Sequence, residues 1–179
     1  MNVEFPVIKT DRLLMRQIRD EDLDDVFKGL SDASVIRYYG VSYLTREAAK
    51  EQMEFFKNLE LNRTGIWWAI CSADNHVFYG AGGLNNLNFT FRKGEIGFWL
   101  MPEFWGKGFI REAIIPILEY AFTNLGLHRI EAHVESGNHN SKRVLDKSGF
   151  LYEGTMKDCE IKNGKFISLD IYAILNEKN

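Results

Sequence analysis

The stretch from Gly94 to Phe122, GEIGFWLMPEFWGKGFIREAIIPILEYAF, constrains this chain more than any other. Glu95 to Met101 is a compact run of β-formers, and Pro102 closes it. Beyond it, Ile110, Ala113, Ile114, Ile117, Leu118, Ala121, Phe122 and Leu125 recur at the three-and-four spacing of a helix with one buried face. A strand therefore feeds a helix through Trp105-Gly106-Lys107-Gly108-Phe109. The two glycines bare the backbone where the first N–H groups of a helix lack intrahelical partners and where its dipole is positive. Such a place receives an anion, above all a phosphate or pyrophosphate. Two glycines near a helix start also serve ordinary tight turns. Neither the Lys-Ser or Lys-Thr of a P-loop nor the three-glycine dinucleotide pattern is present.

The remaining elements follow from local pattern. Arg12 to Ile18 reads as a short strand, and Asp20 as the cap of a helix carrying Leu23, Val26, Phe27 and Leu30 on one face. Ser31 to Leu44 is irregular and aromatic. It either lines a substrate mouth or seals the helices onto the sheet. Thr45 caps a second helix that runs to about Leu61. Gly65–Cys71 and Val77–Leu84 read as two strands, with Gly80, Gly82 and Gly83 marking a bulge or a close approach. Arg129 to Glu135 alternates cleanly, with Ile130, Ala132 and Val134 on the buried side. Asn138 caps a helix that Gly149 ends. Leu151–Ile161 and Lys165–Leu175 flank Asn163-Gly164, the turn signal of a tight hairpin.

Strand, two helices, three strands, helix, strand, helix and hairpin make a mixed α/β (α+β) fold: a partly parallel, partly antiparallel central sheet flanked by about four helices. With 179 residues and no linker, repeat or low-complexity segment, residues 1–179 are expected to form a single domain. The formal charge of −3 argues against nucleic acid or an anionic membrane as the main partner. The N-terminus lacks the basic start and apolar run of a secretory signal, and no apolar run approaches the length that spans a bilayer. A cytoplasmic protein is expected, with Cys71 and Cys159 as buried thiols, although a disulfide between them stays open. The four histidines are scattered and no His/Cys/Asp cluster has metal-ligand spacing, so no metal is expected.

The Trp105–Phe109 loop, taken with the flanking GEIGFWL and REA, resembles the acetyl-CoA-binding motif of the GNAT superfamily of N-acetyltransferases, whose loop reads Gln/Arg-x-x-Gly-x-Gly/Ala. Trp105 stands at the Gln/Arg position and Ile110 at the last Gly/Ala position. Both depart from the general pattern, and the aromatic-Trp-Gly-Lys-Gly form is similar to RimL/RimJ-like ribosomal-protein acetyltransferases. The stretch from Asn138 to Phe150, NHNSKRVLDKSGF, continues that resemblance, as do Glu153 to Lys157, Glu160, Asn163-Gly164 and Tyr172. The similarity runs from about Lys9 to Leu175.

The resemblance implies acetyl-CoA as co-substrate, with its pyrophosphate on the N–H groups of Gly106, Lys107, Gly108, Phe109 and Ile110 and its thioester along the strand ending at Met101. It implies a free backbone N–H at Leu100 or Met101 for the oxyanion, Ser141 as donor to the departing sulfur, and Asn138 against the pantetheine arm. Lys142 and Arg143 either meet the remaining phosphate or face water. Glu160 is the first candidate base and Glu95 the second, each of them also readable as a plain solvated carboxylate. Direct attack needs a neutral amine. An α-amine of pKa about 7.7 to 8 is already partly neutral at pH 7, whereas a lysine at about 10.4 needs a further ~3.5 kcal/mol. The acceptor implied is a protein N-terminus, such as that of a ribosomal protein. The alternatives are a polyamine or aminoglycoside, or a CoA-binding module without turnover. A monomer or homodimer is expected.

Overall fold

A computed structural model describes residues 4–177; Met1 to Val3, part of the stretch read above for a leader, lie outside that range. Its strands are β1 (Ile8–Lys9), β2 (Leu13–Gln17), β3 (Ile66–Ser72), β4 (Phe78–Asn88), β5 (Lys93–Leu100), β6 (Arg129–Glu135), β7 (Leu151–Lys162) and β8 (Lys165–Leu175). They form one sheet in the order β1-β2-β3-β4-β5-β6-β8-β7. All neighbours are antiparallel except β5 and β6. The helices are α1 (Leu23–Ser31), α2 (Ala33–Ile36), α3 (Lys50–Leu61), α4 (Phe109–Thr123) and α5 (His139–Lys147).

Period-2 and period-3.6 patterns place most of these elements. β6 begins and ends at the expected residues, and its burial alternates along the strand. In the β7–β8 turn, Asn163 and Gly164 have φ of 50° and 74°, the doubly left-handed turn that matches the twist of its strands. Asn138 caps α5 by accepting from the Ser141 N–H at 3.1 Å. Gly149 follows that helix with φ of 88°.

Four readings change. Among the described residues there are five α-helices where about four were expected, because α2 spans only four residues and carries no periodic signal. Asp20 is not a helix cap: Asp20–Asp22 is a 3-10 turn and α1 starts at Leu23. The Asp22 carboxylate accepts the Arg19 N–H at 2.7 Å and two N–H groups of buried Arg16, each at 2.8 Å. The Thr45 hydroxyl oxygen accepts the Ala48 N–H at 3.1 Å, which opens a set of turns ahead of α3 rather than the helix itself. Cys71 is buried and its thiol is pushed up to about 11 by burial, but Cys159 is exposed on β7; both are free.

The glycines of β4 serve both purposes read for them. A Cβ on Gly83 would stand 2.3 Å from the Ile66 carbonyl oxygen, and one on Gly80 would stand 2.2 Å from that of Trp99. The β3–β4 register also slips between Ile70 and Cys71, as a bulge does.

Two cores result, one on each face of the sheet. Ile114, Ile117 and Leu118 of α4 and Leu145 of α5 pack on Met15, Trp68, Ile70, Ile96, Leu100 and Ile130. On the other face, Val26 and Leu30 of α1 and Met53 and Phe56 of α3 pack on Trp67, Ala69, Ala81 and Trp99. Successive residues of β5 therefore serve opposite faces: Ile96 and Leu100 look toward α4, Trp99 toward α1 and α3. No helix among the described residues is long and apolar enough to cross a membrane.

Candidate active site

The one parallel pair in the sheet comes apart. β5 and β6 are paired only at Lys93 with Arg129, Gly94 with Ile130 and Glu95 with Glu131. Beyond these, β5 continues to Leu100 against β4, and β6 continues to Glu135 against β8. The chain leaves both strands at their carboxyl ends, through the glycine loop after β5 and through Asn138 and α5 after β6. Ligands of open α/β sheets bind at such carboxyl ends.

Register decides which amide faces the split. Leu100 lies opposite Gly80, and the Met101 N–H donates to the Tyr79 carbonyl at 2.9 Å. Leu100 and Gly80 are thus a non-hydrogen-bonded pair, and the N–H and carbonyl of Leu100 point away from β4. Of the two amides considered for the oxyanion, Met101 is spent inside the sheet and Leu100 is directed at the split. The Leu100 carbonyl on that side accepts the indole N–H of Trp105 at 2.8 Å.

Gly106 and Gly108 have φ of 73° and 81°, a conformation that residues with side chains rarely adopt. The Glu112 N–H, bonded to the Gly108 carbonyl at 3.0 Å, is the first to find an intrahelical partner, so those of Phe109, Ile110 and Arg111 have none within the helix. Ile110, at the position where a small residue was expected, is half-buried and packs against the α4 core. Phe109 stacks on Tyr79, with centroids 4.7 Å apart, and the Lys107 ammonium lies 5.5 Å from the Phe104 ring centroid.

Sequence reasoning missed the side chain that holds this loop. Arg12, at the start of the N-terminal sheet edge, donates to the Lys107 carbonyl at 3.0 Å and to Glu112 Oε2 through Nε at 2.7 Å. Its guanidinium lies over the Phe109 ring at 4.7 Å. Glu112 also accepts from the Thr10 hydroxyl at 2.5 Å and the Arg12 N–H at 3.1 Å. Burial alone would raise the Glu112 carboxyl, but Thr10 and Arg12 outweigh it and hold the group below its ordinary value.

Across the split, Asn138 serves Ser141 twice. Its carbonyl caps the Ser141 amide, and its amide donates to the Ser141 hydroxyl oxygen at 2.9 Å. That orientation leaves the Ser141 proton to be donated elsewhere. Lys142 does not reach toward a phosphate; it pairs with buried Asp170 of β8. Ser136 and Thr155 each donate to the other Asp170 oxygen at 2.7 Å. Burial alone would raise Asp170, and these three partners together bring it below the ordinary carboxylate value. Arg143 is exposed.

The two candidate bases stand apart. Glu95 is on the α1–α3 side, half-buried at the crotch of the split, where Asn86 donates to it at 2.9 Å and His133 approaches to 3.9 Å. Glu160 is exposed on β7 opposite Ile167, which lines a groove of about 260 Å³ with Tyr38, Glu135 and Gly137. With β6 and β8 between them, the two strands lie three spacings apart, about 14 Å along the sheet. A second groove of about 410 Å³ is lined by Ile36, Arg37, Tyr39 and Val41 of the aromatic segment and by Lys162 and Asn163 of the hairpin tip. The aromatic segment thus both seals the fold and lines an opening: Tyr39 packs against the α1–α3 core while bordering this groove.

A split parallel pair with an outward amide, beside a helix start whose first N–H groups have no partner within the helix, fits an acyl-CoA and is the arrangement of an acyl-CoA-dependent acyltransferase. Residues 12–151 match the family model described as acetyltransferase (GNAT) domain. The chain belongs to that family: it is an N-acetyltransferase, with acetyl-CoA as donor. It is 36% identical over 175 residues to the uncharacterized N-acetyltransferase YoaA of Bacillus subtilis, covering 97% of this chain and 99% of that one. Its fold is similar to the ribosomal L7/L12 α-N-protein acetyltransferase RimL in complex with coenzyme A, at a TM-score of 0.87, 17% identity and coverage of 97% and 100%. It is also similar to Vibrio cholerae spermidine N-acetyltransferase in complex with CoA and spermine, at a TM-score of 0.81, 24% identity and coverage of 93% and 96%.

Proposed function

We propose that residues 1–179 act as one catalytic unit that acetylates a protein or peptide N-terminal α-amine directly from acetyl-CoA. The neutral amine attacks the thioester carbonyl, and the Leu100 N–H meets the oxygen as it becomes an oxyanion. The amine's proton passes to Glu160, or to Glu95 if the reaction runs at the crotch. The C–S bond breaks as the amide forms, and the thiolate leaves with a hydrogen bond from the Ser141 hydroxyl, which keeps its own proton. Cofactor contacts come from the backbone at Gly106 to Ile110 and from Asn138.

The observation that supports an α-amine over a polyamine is the state of the carboxylates around the split. Glu131 is paired with Arg129 at 2.7 Å and Lys93 at 3.5 Å, Glu153 with Arg129 at 2.5 Å, and Glu135 with Lys162. Asp32, the one acid of the aromatic segment, caps α2 through the Ser34 N–H at 2.8 Å. A polycation calls for several uncommitted acids, and these four already have partners. An α-amine also asks least of the base.

The test offers acetyl-CoA with a peptide bearing a free Ser or Ala N-terminus and an internal lysine, its N-terminally blocked twin, and spermine. Intact mass should show one acetyl group on the free peptide and little on the other two. Equal acetylation of both peptides, or preference for spermine, rejects the α-amine.

A further inference from the structure

We propose that Arg12 is the positioning residue that makes the glycine loop able to receive a diphosphate. The inference rests on the reading that the acetyl-CoA pyrophosphate lies on the loop from Gly106 to Ile110.

Two features of that loop work against an anion. Glu112 puts a carboxylate in the first turn of α4, beside the amides meant for the phosphates. The Lys107 carbonyl, between the two left-handed glycines, is a negative end of the backbone that has to be turned aside. Arg12 answers both. Its fork engages Glu112 through Nε at 2.7 Å and through the terminal nitrogen at 2.5 Å, which cancels the charge. Its other nitrogen holds the Lys107 carbonyl at 3.0 Å, and its face lies on Phe109. A Cβ added at Gly108 would stand 3.6 Å from the guanidinium, so arginine and loop backbone are in close register. Half of the Arg12 side chain stays exposed, so the pair lies at the surface beside the loop rather than under it.

Lysine cannot reproduce this, because a point charge on a flexible stem does not hold a carboxylate and a carbonyl in one plane. The device also explains Thr10, whose hydroxyl fixes the second oxygen of Glu112. It fastens the N-terminal sheet edge, about a hundred residues away in sequence, to the start of α4.

The test measures CoA binding by titration calorimetry and turnover with two donors: acetyl-CoA, and S-acetylpantetheine, which lacks the diphosphate. Arg12→Ala should weaken CoA tenfold or more and raise KM for acetyl-CoA, with kcat at saturation within about twofold. Its kcat/KM for S-acetylpantetheine should match the parent. Arg12→Lys should recover little, and it replaces the alanine variant should that one fail to fold. Glu112→Gln in the Arg12→Ala background should regain at least threefold in CoA affinity. Unchanged CoA affinity in folded Arg12→Ala, an equal loss with both donors, or no regain in the double variant overturns the inference. Gly108→Val separates this from the underlying reading: full CoA affinity there sinks the loop as the pyrophosphate site, whereas loss there with a normal Arg12→Ala sinks only the role of Arg12.

Discussion

The indole N–H of Trp105 donates to the carbonyl of Leu100, closing the glycine loop back onto the strand from which it departs. Leu100 is also the residue whose N–H faces the split, so one bond ties the geometry of the loop to that of the oxyanion donor. The residue at the position where the family pattern has Gln or Arg is thereby given a task in this chain.

Trp105→Phe keeps an aromatic ring and removes that donor, together with part of the indole's bulk. A net hydrogen bond of about 0.5–1.5 kcal/mol corresponds to a fall of roughly twofold to thirteenfold in kcat/KM for acetyl-CoA. Steady-state kinetics check it, with thermal unfolding as a control. An unchanged kcat/KM rules out the coupling.

Glu160→Gln and Glu95→Gln distinguish the two bases, which stand on β7 and β5 with two strands between them. The true base should lose about 10²-fold in rate, and the other little. The defect should shrink as pH rises through the acceptor's own pKa, about 7.7 to 8.0 for an α-amine, because solvent then supplies the neutral form. A larger loss at Glu95 moves the chemistry to the crotch of the split. Near-normal pH–rate profiles for both variants leave neither as the base.

Ser141→Ala removes a donor that matters only while the C–S bond breaks. It should lower kcat with little change in KM and with a weaker pH dependence than the glutamate variant. The fold should hold, since the helix cap from the Ser141 amide to the Asn138 carbonyl is kept and only the bond from the Asn138 amide to the Ser141 hydroxyl is lost. A rise in KM at constant kcat would instead make Ser141 a binding contact.

Asp170 sets part of the acid stability. Its folded value lies below the ordinary carboxylate value of about 3.9, so near that pH the unfolded chain binds more protons and stability rises with pH. The contribution is present above about pH 4 and is lost as pH falls through the folded value. Asp170→Asn should flatten the acid limb of a stability-against-pH curve from denaturant titrations. A parallel curve for the variant removes Asp170 from the account.

The elements legible in the sequence are those whose cause is local. Asn163-Gly164 announces its turn because few other pairs tolerate two left-handed residues in succession. Asn138 announces α5 because its side chain answers an amide three residues on. The alternation of β6 shows which side is buried, and Gly106 with Gly108 marks a bare helix start. The candidates Ser141, Glu160 and Glu95 came from the family resemblance, since nothing in local pattern sets them apart from other serines and glutamates.

Tertiary structure alone decided the rest. That Leu100 and not Met101 offers its amide depends on which pairs with β4 are hydrogen-bonded, a property of register rather than composition. Lys142 turns to Asp170, 28 residues along, because burying that carboxylate beside α5 demands a cation more strongly than an exposed helix face demands a phosphate ligand. Arg12 reaches the loop because the sheet brings its first edge beside α4, and no local pattern reports a contact across 95 residues. Local propensity writes turns, caps and faces into the chain; the direction of an amide and the partner of a charge are set only when distant strands meet.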